Sequence, residues 1–519
     1  MMEYQRAKQL LADEMLNRSA RRFPQKTALV HNNTRMTYGM LQSRVDNIAG
    51  WFQSRGIFKG DKVGVLLYNS IEFIEVLFAL ARIGAVIVPV NFRLQKSEVE
   101  YILGNSDVKM LVAHDDFTYV IKEIRSKLPK LSGVVIVNPS DALKEDGFLF
   151  YDSMFKSTLK PKLEYLDDDD DLLIVYTSGT TGRPKGAVLT HKNAFMNAVN
   201  MTLECGLTKD EVQLITTPLF HVGGISAMTM IVLVGGTSII HSKFDPNAIL
   251  ETFDAEKVSY AFMVPSMWNL LLQVPNFQEY HVGSIRVICT AAATTPLELK
   301  KKLMEHFPNA SVYDTFGHTE TFSTSTLKAG DSLIKSGSVG LPFSNIEVRV
   351  VDEDMNDCCP GEVGEIIYRG PTVMKEYYNN SAATEEAFKG GWFHSGDLVT
   401  YDEDGYLTVV DRKKDMIISG GENIYPKEIE EVLYTHPDIF EAAVVGVPDE
   451  KWGETVKAYI VPKPGKKLSE QDIIHYCAER IASYKKPRYV EFLEELPRNA
   501  SGKILKTKLR SYADNFEKL

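Results

Sequence analysis

The sequence predicts an α/β protein. Parallel sheets covered on both faces give way to a small antiparallel β unit and then to a compact α+β domain. Three observations carry this. Up to about residue 335, continuous apolar runs bounded by Gly, Pro or Asn alternate with helical patterns, the signature of parallel strands buried on both faces. After that the runs shorten and alternate polar with apolar residues, with turns such as Asp404-Gly405 between them. From Asp411 a fresh set of helices and strands begins. A chain of 519 residues is too long for one core, so this change of texture reads as domain structure.

The elements follow in order. Val63–Tyr68 (VGVLLY) reads as a buried strand, Ile71–Ile83 as a helix and Ala85–Val90 as the next strand. Met110–Ala113, Val134–Val137, Leu172–Tyr176, Gln213–Thr216, Thr237–Ile240, Tyr260–Val264 and Val287–Thr290 continue the alternation. The uncharged stretch Val222–Ile240 has the length of a membrane span. Its Gly235-Gly236 pair breaks a helix, so it reads as a buried helix, a turn and a strand. The antiparallel unit takes Glu347–Val351, Gly364–Tyr368, Leu398–Tyr401 and Leu407–Val410. In the last domain Pro426–Thr435 is an amphipathic helix with Ile429, Val432 and Leu433 on one face. Strands Glu441–Val447 and Val456–Val461 and a helix Glu470–Ile481 complete it. The run Asp167–Asp171 reads as a solvated turn, since neighbouring carboxylates would not all face one ion.

Composition excludes several classes. Lys+Arg is 58 and Asp+Glu 69, a net charge of −11 without a dominant basic face, which argues against nucleic acid. The five cysteines (Cys205, Cys289, Cys358, Cys359, Cys477) form neither a zinc pattern nor a disulfide framework and fit a reducing cytoplasm. Cys358-Cys359 reads as a surface turn. The N-terminus lacks the apolar core of a signal peptide. Peripheral membrane contact stays open although no amphipathic basic segment stands out for it, and the sequence sets no oligomeric state, monomer or homodimer.

The chemistry concentrates in YTSGTTGRPKG, Tyr176–Gly186. The P-loop pattern needs four residues between its first glycine and a GK[ST] ending, which this loop does not have. Its glycines Gly179 and Gly182 let backbone N–H groups approach phosphate oxygens. Thr177, Ser178, Thr180 and Thr181 add hydroxyls, and Lys185 adds a positive charge. Such a loop at the end of a strand suits a polyphosphate.

This stretch resembles the signature loop of the adenylate-forming superfamily: acyl- and aryl-CoA ligases, peptide-synthetase adenylation domains and beetle luciferases. PLFHVGG (Pro218–Gly224), TFGHTE (Thr315–Glu320), GWFHSGD (Gly391–Asp397), DRKKDMIISGGENIYP (Asp411–Pro426) and PRNASGK (Pro497–Lys503) follow in the family's order and cover nearly the whole chain. The resemblance implies a large N-terminal domain, 1–411, built of two parallel-type α/β subdomains plus a small antiparallel β unit. A small mobile α+β C-terminal domain, 412–519, would follow. It implies ATP, Mg²⁺ and CoA: a carboxylate attacks the α-phosphorus, pyrophosphate leaves, and the acyl-AMP passes to a thiol.

Residue by residue, the resemblance implies that Lys503 bridges the substrate carboxylate and the α-phosphate, a cation where negative charge builds up. Glu320 would organise Mg²⁺, for which one carboxylate beside phosphates and water suffices. Thr319 would contact the α-phosphate, Phe316 the adenine face and Asp314 the adenine amino group. His318 departs from the family's usual apolar residue or glutamine and has no assigned role. Asp397 and Arg412 match the ribose pair. His221 matches an aromatic gate between the carboxylate site and the thiol tunnel, a better fit than a general base, since thiols ionise readily unaided. Lys414 matches the hinge. The Ser419-Gly420-Gly421 loop would admit the pantetheine chain.

Val222, Gly223, Met263, Val264, Ala291–Ala293 and Ser323 should line the acyl site by analogy. They are small or apolar, and no aspartate for an α-amino group occurs from Pro218 to Met230. A medium- or long-chain fatty acid is the first expectation and an aryl or cinnamic-type acid the second. No carrier domain is expected after Lys503, so an acceptor in trans, CoA, is expected. A stand-alone enzyme loading a carrier protein is the competing reading. A non-enzymatic ATP-binding relative is a third, and the intact Lys503, Glu320 and loop residues count against it.

Overall fold

A computed structural model describes residues 2–140, 147–155, 159–177, 183–293, 295–420, 422–449, 451–498 and 504–514. The described residues fall into two compact units: Met1–Val348 with Tyr368–Phe393, and Arg349–Ile367 with His394–Leu519.

The first unit holds two large sheets. In one, Thr27–His31, Thr237–Ile240, Val212–Ile215, Tyr260–Phe262, Val287–Thr290 and Ser311–His318 run parallel, each paired with the next. Antiparallel strands Thr34–Thr37 and Phe322–Leu327 flank them, and Leu341–Pro342 extends the far edge. In the other, Asp171–Thr177, Val86–Pro89, Lys62–Leu66, Met110–His114, Gly133–Val137 and Leu149–Phe150 are parallel in that spatial order. Here the structure adds what the sequence pattern did not give. Asp171–Thr177 turns back antiparallel on Lys185–Thr190, and Glu376–Tyr377 pairs with the outer side of that strand. The described strands on either side of the phosphate-type loop therefore pair with each other near a sheet edge.

Burial follows the apolar runs. Val86 and Val88, Leu111 and Ala113, Val134 and Ile136 share one core with the helix Lys96–Asn105. Leu214, Ile239, Ala261, Ile288 and Val312 share another with Trp268 and Phe307. The helix Ile71–Ile83 stands as expected, capped by Ser70, whose side chain accepts from the Phe73 N–H. Val222–Val234 is a buried helix that stops at Gly235 before the strand Thr237–Ile240. Among the described residues no helix is long and apolar enough to cross a membrane.

The aspartate run needs a correction. Carboxylate oxygens of Asp167, Asp168 and Asp169 do lie within 4.8 Å of one another. Lys192 sits among them, 2.9 Å from Asp168 and 2.8 Å from Asp169, and supplies the positive charge locally. Cys358 is also buried where a surface turn was expected, while Cys359 is exposed.

The second unit carries most of the strands Gly364–Arg369 and Phe393–Tyr401, which end or begin at its boundary, and the whole of Leu407–Arg412, antiparallel to Phe393–Tyr401. It also contains a five-stranded sheet. The long antiparallel pair Ile439–Asp449 and Gly453–Pro462 is buried on both faces. Ala442 and Val444 face a core shared with the helices Pro426–Tyr434 and Glu470–Ala478. Ala443 and Val445 face one shared with Leu509 of the helix Lys506–Asp514. Alternate side chains thus enter different cores, which is why these strands read as unbroken apolar runs.

Candidate active site

In the first unit the hairpin rung Thr177–Lys185 marks where the loop leaves the sheet. Ser178, Gly179, Thr180, Thr181 and Gly182 lie outside the described residues. Lys185 projects its Nζ over the ring of Tyr377, 5.2 Å from the centroid. Among the described residues no carboxylate pairs with it, so its charge is available to an anion. The Tyr377 hydroxyl donates to Oε1 of Glu320 at 2.8 Å. Glu320 is half-buried and no cation among the described residues pairs with it. One oxygen held by a neutral phenol and an uncompensated charge fit a hydrated Mg²⁺.

Glu320 stands in the turn between Ser311–His318 and Phe322–Leu327. That hairpin closes tightly at Gly317, where an added Cβ would lie 1.8 Å from the Phe322 carbonyl oxygen. Thr319 occupies the same turn. Phe316 precedes it, its ring met edge-on by His318 with centroids 5.1 Å apart. The His318 ring also lies 5.8 Å from that of Tyr368, tilted to it. This gives His318 a place: it buttresses the Phe316 ring.

Asp314 is 8% exposed. Its Oδ1 accepts from Thr290 Oγ1 at 2.5 Å, and Lys300 Nζ lies 2.5 Å from Oδ2. Lys300 is itself 1% exposed, on the helix Leu297–His306. A helix and two strands therefore converge on this carboxylate. Sequence reasoning missed Lys300, because its lysine-rich helix reads as solvent-facing.

His221 is the N-cap of Val222–Val234, its Nδ1 accepting from the Gly223 N–H at 3.3 Å, and it is exposed. Of the expected acyl lining, Val222 and Met263 are buried. Gly223 faces the Phe262 ring, 3.2 Å from where a Cβ would stand. Val264, Ala291 and Ser323 are half-buried, and Ala292 and Ala293 are exposed. Ala292 adopts φ +69°, a left-handed conformation unusual for a residue with a side chain.

In the second unit Asp397 and Arg412 occupy one rung of an antiparallel pair, and their side chains form an ion pair with Asp397 2% exposed. The neighbouring Asp411 is buried. It accepts from the backbone N–H groups of Arg412 at 2.7 Å and Lys427 at 2.8 Å. Burial pushes its carboxyl above the usual carboxylate range, with Lys506 opposing. Lys414 is exposed in the turn 413–415, while Asp415 beside it is buried and pairs with Arg510 at 2.8 Å. Gly420 sits at φ +61°, and a Cβ there would lie 2.5 Å from the Trp452 ring. Gly421 and Lys503 lie outside the described residues.

A family model described as AMP-binding enzyme matches residues 16–378, and one for the AMP-binding enzyme C-terminal domain matches residues 428–503. The chain belongs to the AMP-binding enzyme family. It is similar to a feruloyl-CoA synthase of Amycolatopsis sp, 38% identical over 495 residues, 95% of this chain and 97% of the relative. The o-succinylbenzoate CoA synthetase from Bacillus subtilis, solved with its acyl-adenylate intermediate, is 33% identical with a TM-score of 0.85. The alignment covers 96% of this chain and 97% of that one. A Mycobacterium tuberculosis fatty acyl CoA synthetase is 34% identical with a TM-score of 0.79, over 98% of this chain and 99% of that one. The adenylate-forming resemblance and the expected fold class both hold.

Proposed function

We propose that this AMP-forming acid–CoA ligase acts on an aryl acid. The enzyme couples a carboxylic acid to CoA using ATP and Mg²⁺: carboxylate and ATP give acyl-AMP and pyrophosphate, then acyl-AMP and CoA give the thioester and AMP. The similarity to a feruloyl-CoA synthase, spanning 95% of the chain, carries the choice of acid. It displaces the medium- or long-chain fatty acid expected first from the sequence. The Phe262 ring against Gly223 is in keeping with it, because a flat apolar surface suits an aromatic ring.

The chain's own residues take these parts. Lys185 and the loop Thr177–Gly182 hold the β- and γ-phosphates. Glu320 holds Mg²⁺, which when bound neutralises phosphate charge. Thr319 meets the α-phosphate and Phe316 the adenine face. The Asp314 carboxylate already engages Thr290 and Lys300, so an adenine amino group would share oxygens fixed in place by them. Asp397, held by Arg412, accepts from the ribose hydroxyls. Lys503 stabilises charge at the α-phosphate during adenylation. Lys414 serves as the hinge between a domain of residues 1–411 and one of 412–519. Gly420 and Gly421 then line the pantetheine path, with His221 at its gate.

The test is pyrophosphate release from ATP and Mg²⁺ over a panel of aryl acids and C8–C18 fatty acids, with and without CoA. A CoA-dependent signal with aryl acids is expected. A signal confined to fatty acids refutes the aryl assignment, and release that ignores CoA points to a carrier-protein acceptor.

A further inference from the structure

Lys185 belongs to one sheet and Glu320 to a turn between two strands of the other, and one side chain meets both. Tyr377 belongs to a strand of two residues, Glu376–Tyr377, too short to hold itself. It is pinned on every side. The Lys375 N–H donates to the Val188 carbonyl at 2.9 Å and the Tyr378 N–H to the Gly186 carbonyl at 2.8 Å, tying the segment to the hairpin that carries the phosphate loop. The Met374 N–H donates to the Glu320 carbonyl at 2.6 Å, tying it to the other sheet. Asn193 Nδ2 donates to the carbonyls of Pro371 and Val373 at 2.8 and 3.0 Å. The Tyr377 N–H donates to Thr384 Oγ1 at 3.0 Å.

The side chain so placed has two faces of use. Its hydroxyl donates to the Glu320 carboxylate at 2.8 Å. Its ring receives the Lys185 ammonium at 5.2 Å. A tyrosine can hold an anion by its O–H and a cation by its ring without adding charge of its own. A lysine at this position would hold Glu320 but neutralise it.

We propose that Tyr377 is a positioning residue for metal-bound ATP, fixing the Glu320 carboxylate for Mg²⁺ while keeping Lys185 beside it for the phosphates. This rests on Glu320 holding the metal and Lys185 the phosphates. The measurement is ATP binding by calorimetry to the full-length wild type, Tyr377→Phe and Glu320→Gln, with Mn²⁺ and with EDTA.

Tyr377→Phe keeps the ring and loses only the hydroxyl. It should bind ATP in EDTA as the wild type does and lose about tenfold in the Mn²⁺-dependent tightening, the usual scale for a residue that orients a metal ligand. The Mg²⁺ concentration for half-maximal pyrophosphate release should rise in step, while thioester formation from supplied acyl-AMP is unchanged. If Tyr377→Phe matches the wild type while Glu320→Gln loses the metal effect, the role of Tyr377 is refuted and that of Glu320 stands. If Glu320→Gln also matches the wild type, the metal assignment falls and this proposal with it. Equal weakening of Tyr377→Phe with and without metal means a structural role and overturns the proposal.

Discussion

Replacing Lys300 by methionine should expose how much the buried Lys300–Asp314 pair contributes. Lys300 is 1% exposed and its ammonium lies 2.5 Å from Asp314 Oδ2, with the Ser332 carbonyl as a further acceptor at 3.3 Å. At an effective dielectric constant of about 20, two unit charges at that distance attract by about 7 kcal/mol. Desolvation of both groups offsets much of this, so the pair's net worth against an apolar pair is small. Removing one partner is different, because it strands a buried carboxylate, at about 3–5 kcal/mol. Thr290 continues to donate to Oδ1, which puts the expectation near the lower end, about 3 kcal/mol. Methionine matches the lysine stem in length, so lost packing contributes little. Denaturant unfolding of Lys300→Met, Asp314→Asn and the double variant gives the coupling through a double-mutant cycle. The double variant should recover at least 1 kcal/mol of the lysine variant's loss, since no lone charge remains. A lysine variant within about 0.5 kcal/mol of the wild type, or a double variant no better than Lys300→Met, would refute the reasoning.

Lys503→Ala should nearly abolish acyl-AMP formation and spare thioester formation from supplied acyl-AMP; equal loss of both partial reactions would contradict the assigned role. Gly420→Ala forces a side chain into φ +61° and against Trp452, a strain of about 1–2 kcal/mol before the ring moves. It should slow thioester formation while pyrophosphate release persists, and unimpaired CoA turnover would reject the placement of that loop. His191 is fully buried, its Nδ1 accepting from the Ala12 N–H at 3.2 Å. Burial, and then the charge of Arg6, push its pKa down to about 3. Between about pH 6.5 and 3 the unfolded chain binds a proton there that the folded chain does not, so stability falls as pH drops through that window, with a slope of up to about 1.4 kcal/mol per pH unit. His191→Gln, which keeps an acceptor for Ala12, should flatten the pH dependence of the melting temperature, and an unchanged profile would exclude this source of acid sensitivity.

Much of the fold was legible because burial on both faces leaves its mark locally. The runs VGVLLY and AVIVPV and the helix between them need no distant partner to be recognised. What escaped depends on pairing that the local pattern does not show. Lys185–Thr190 begins with the lysine of the Tyr176–Gly186 loop, and its antiparallel register with Asp171–Thr177 makes it a strand. Thr27–His31 is flanked by charged and polar residues, yet it joins a sheet through Thr237–Ile240. At the site, the residues sitting in motifs were visible. Tyr377 and Lys300 were not. A strand of two residues has no periodicity, and a lysine inside Lys300-Lys301-Lys302 looks like its exposed neighbours. His318 resisted assignment because its ring contacts with Phe316 and Tyr368 leave no pattern in sequence.

The first compact unit is not contiguous in the chain: it takes back Tyr368–Phe393 after Arg349–Ile367 has gone to the second. This sets an order during synthesis. The strand Glu376–Tyr377 leaves the ribosome about 190 residues after the hairpin it must cover. At roughly 5–20 residues per second the hairpin waits about 10–40 s with its outer edge unpaired. A nascent chain in that interval carries an open β-edge able to pair with another chain. A recombinant fragment ending at Val348 would keep that edge for good, whereas one extended to Phe393 would close it.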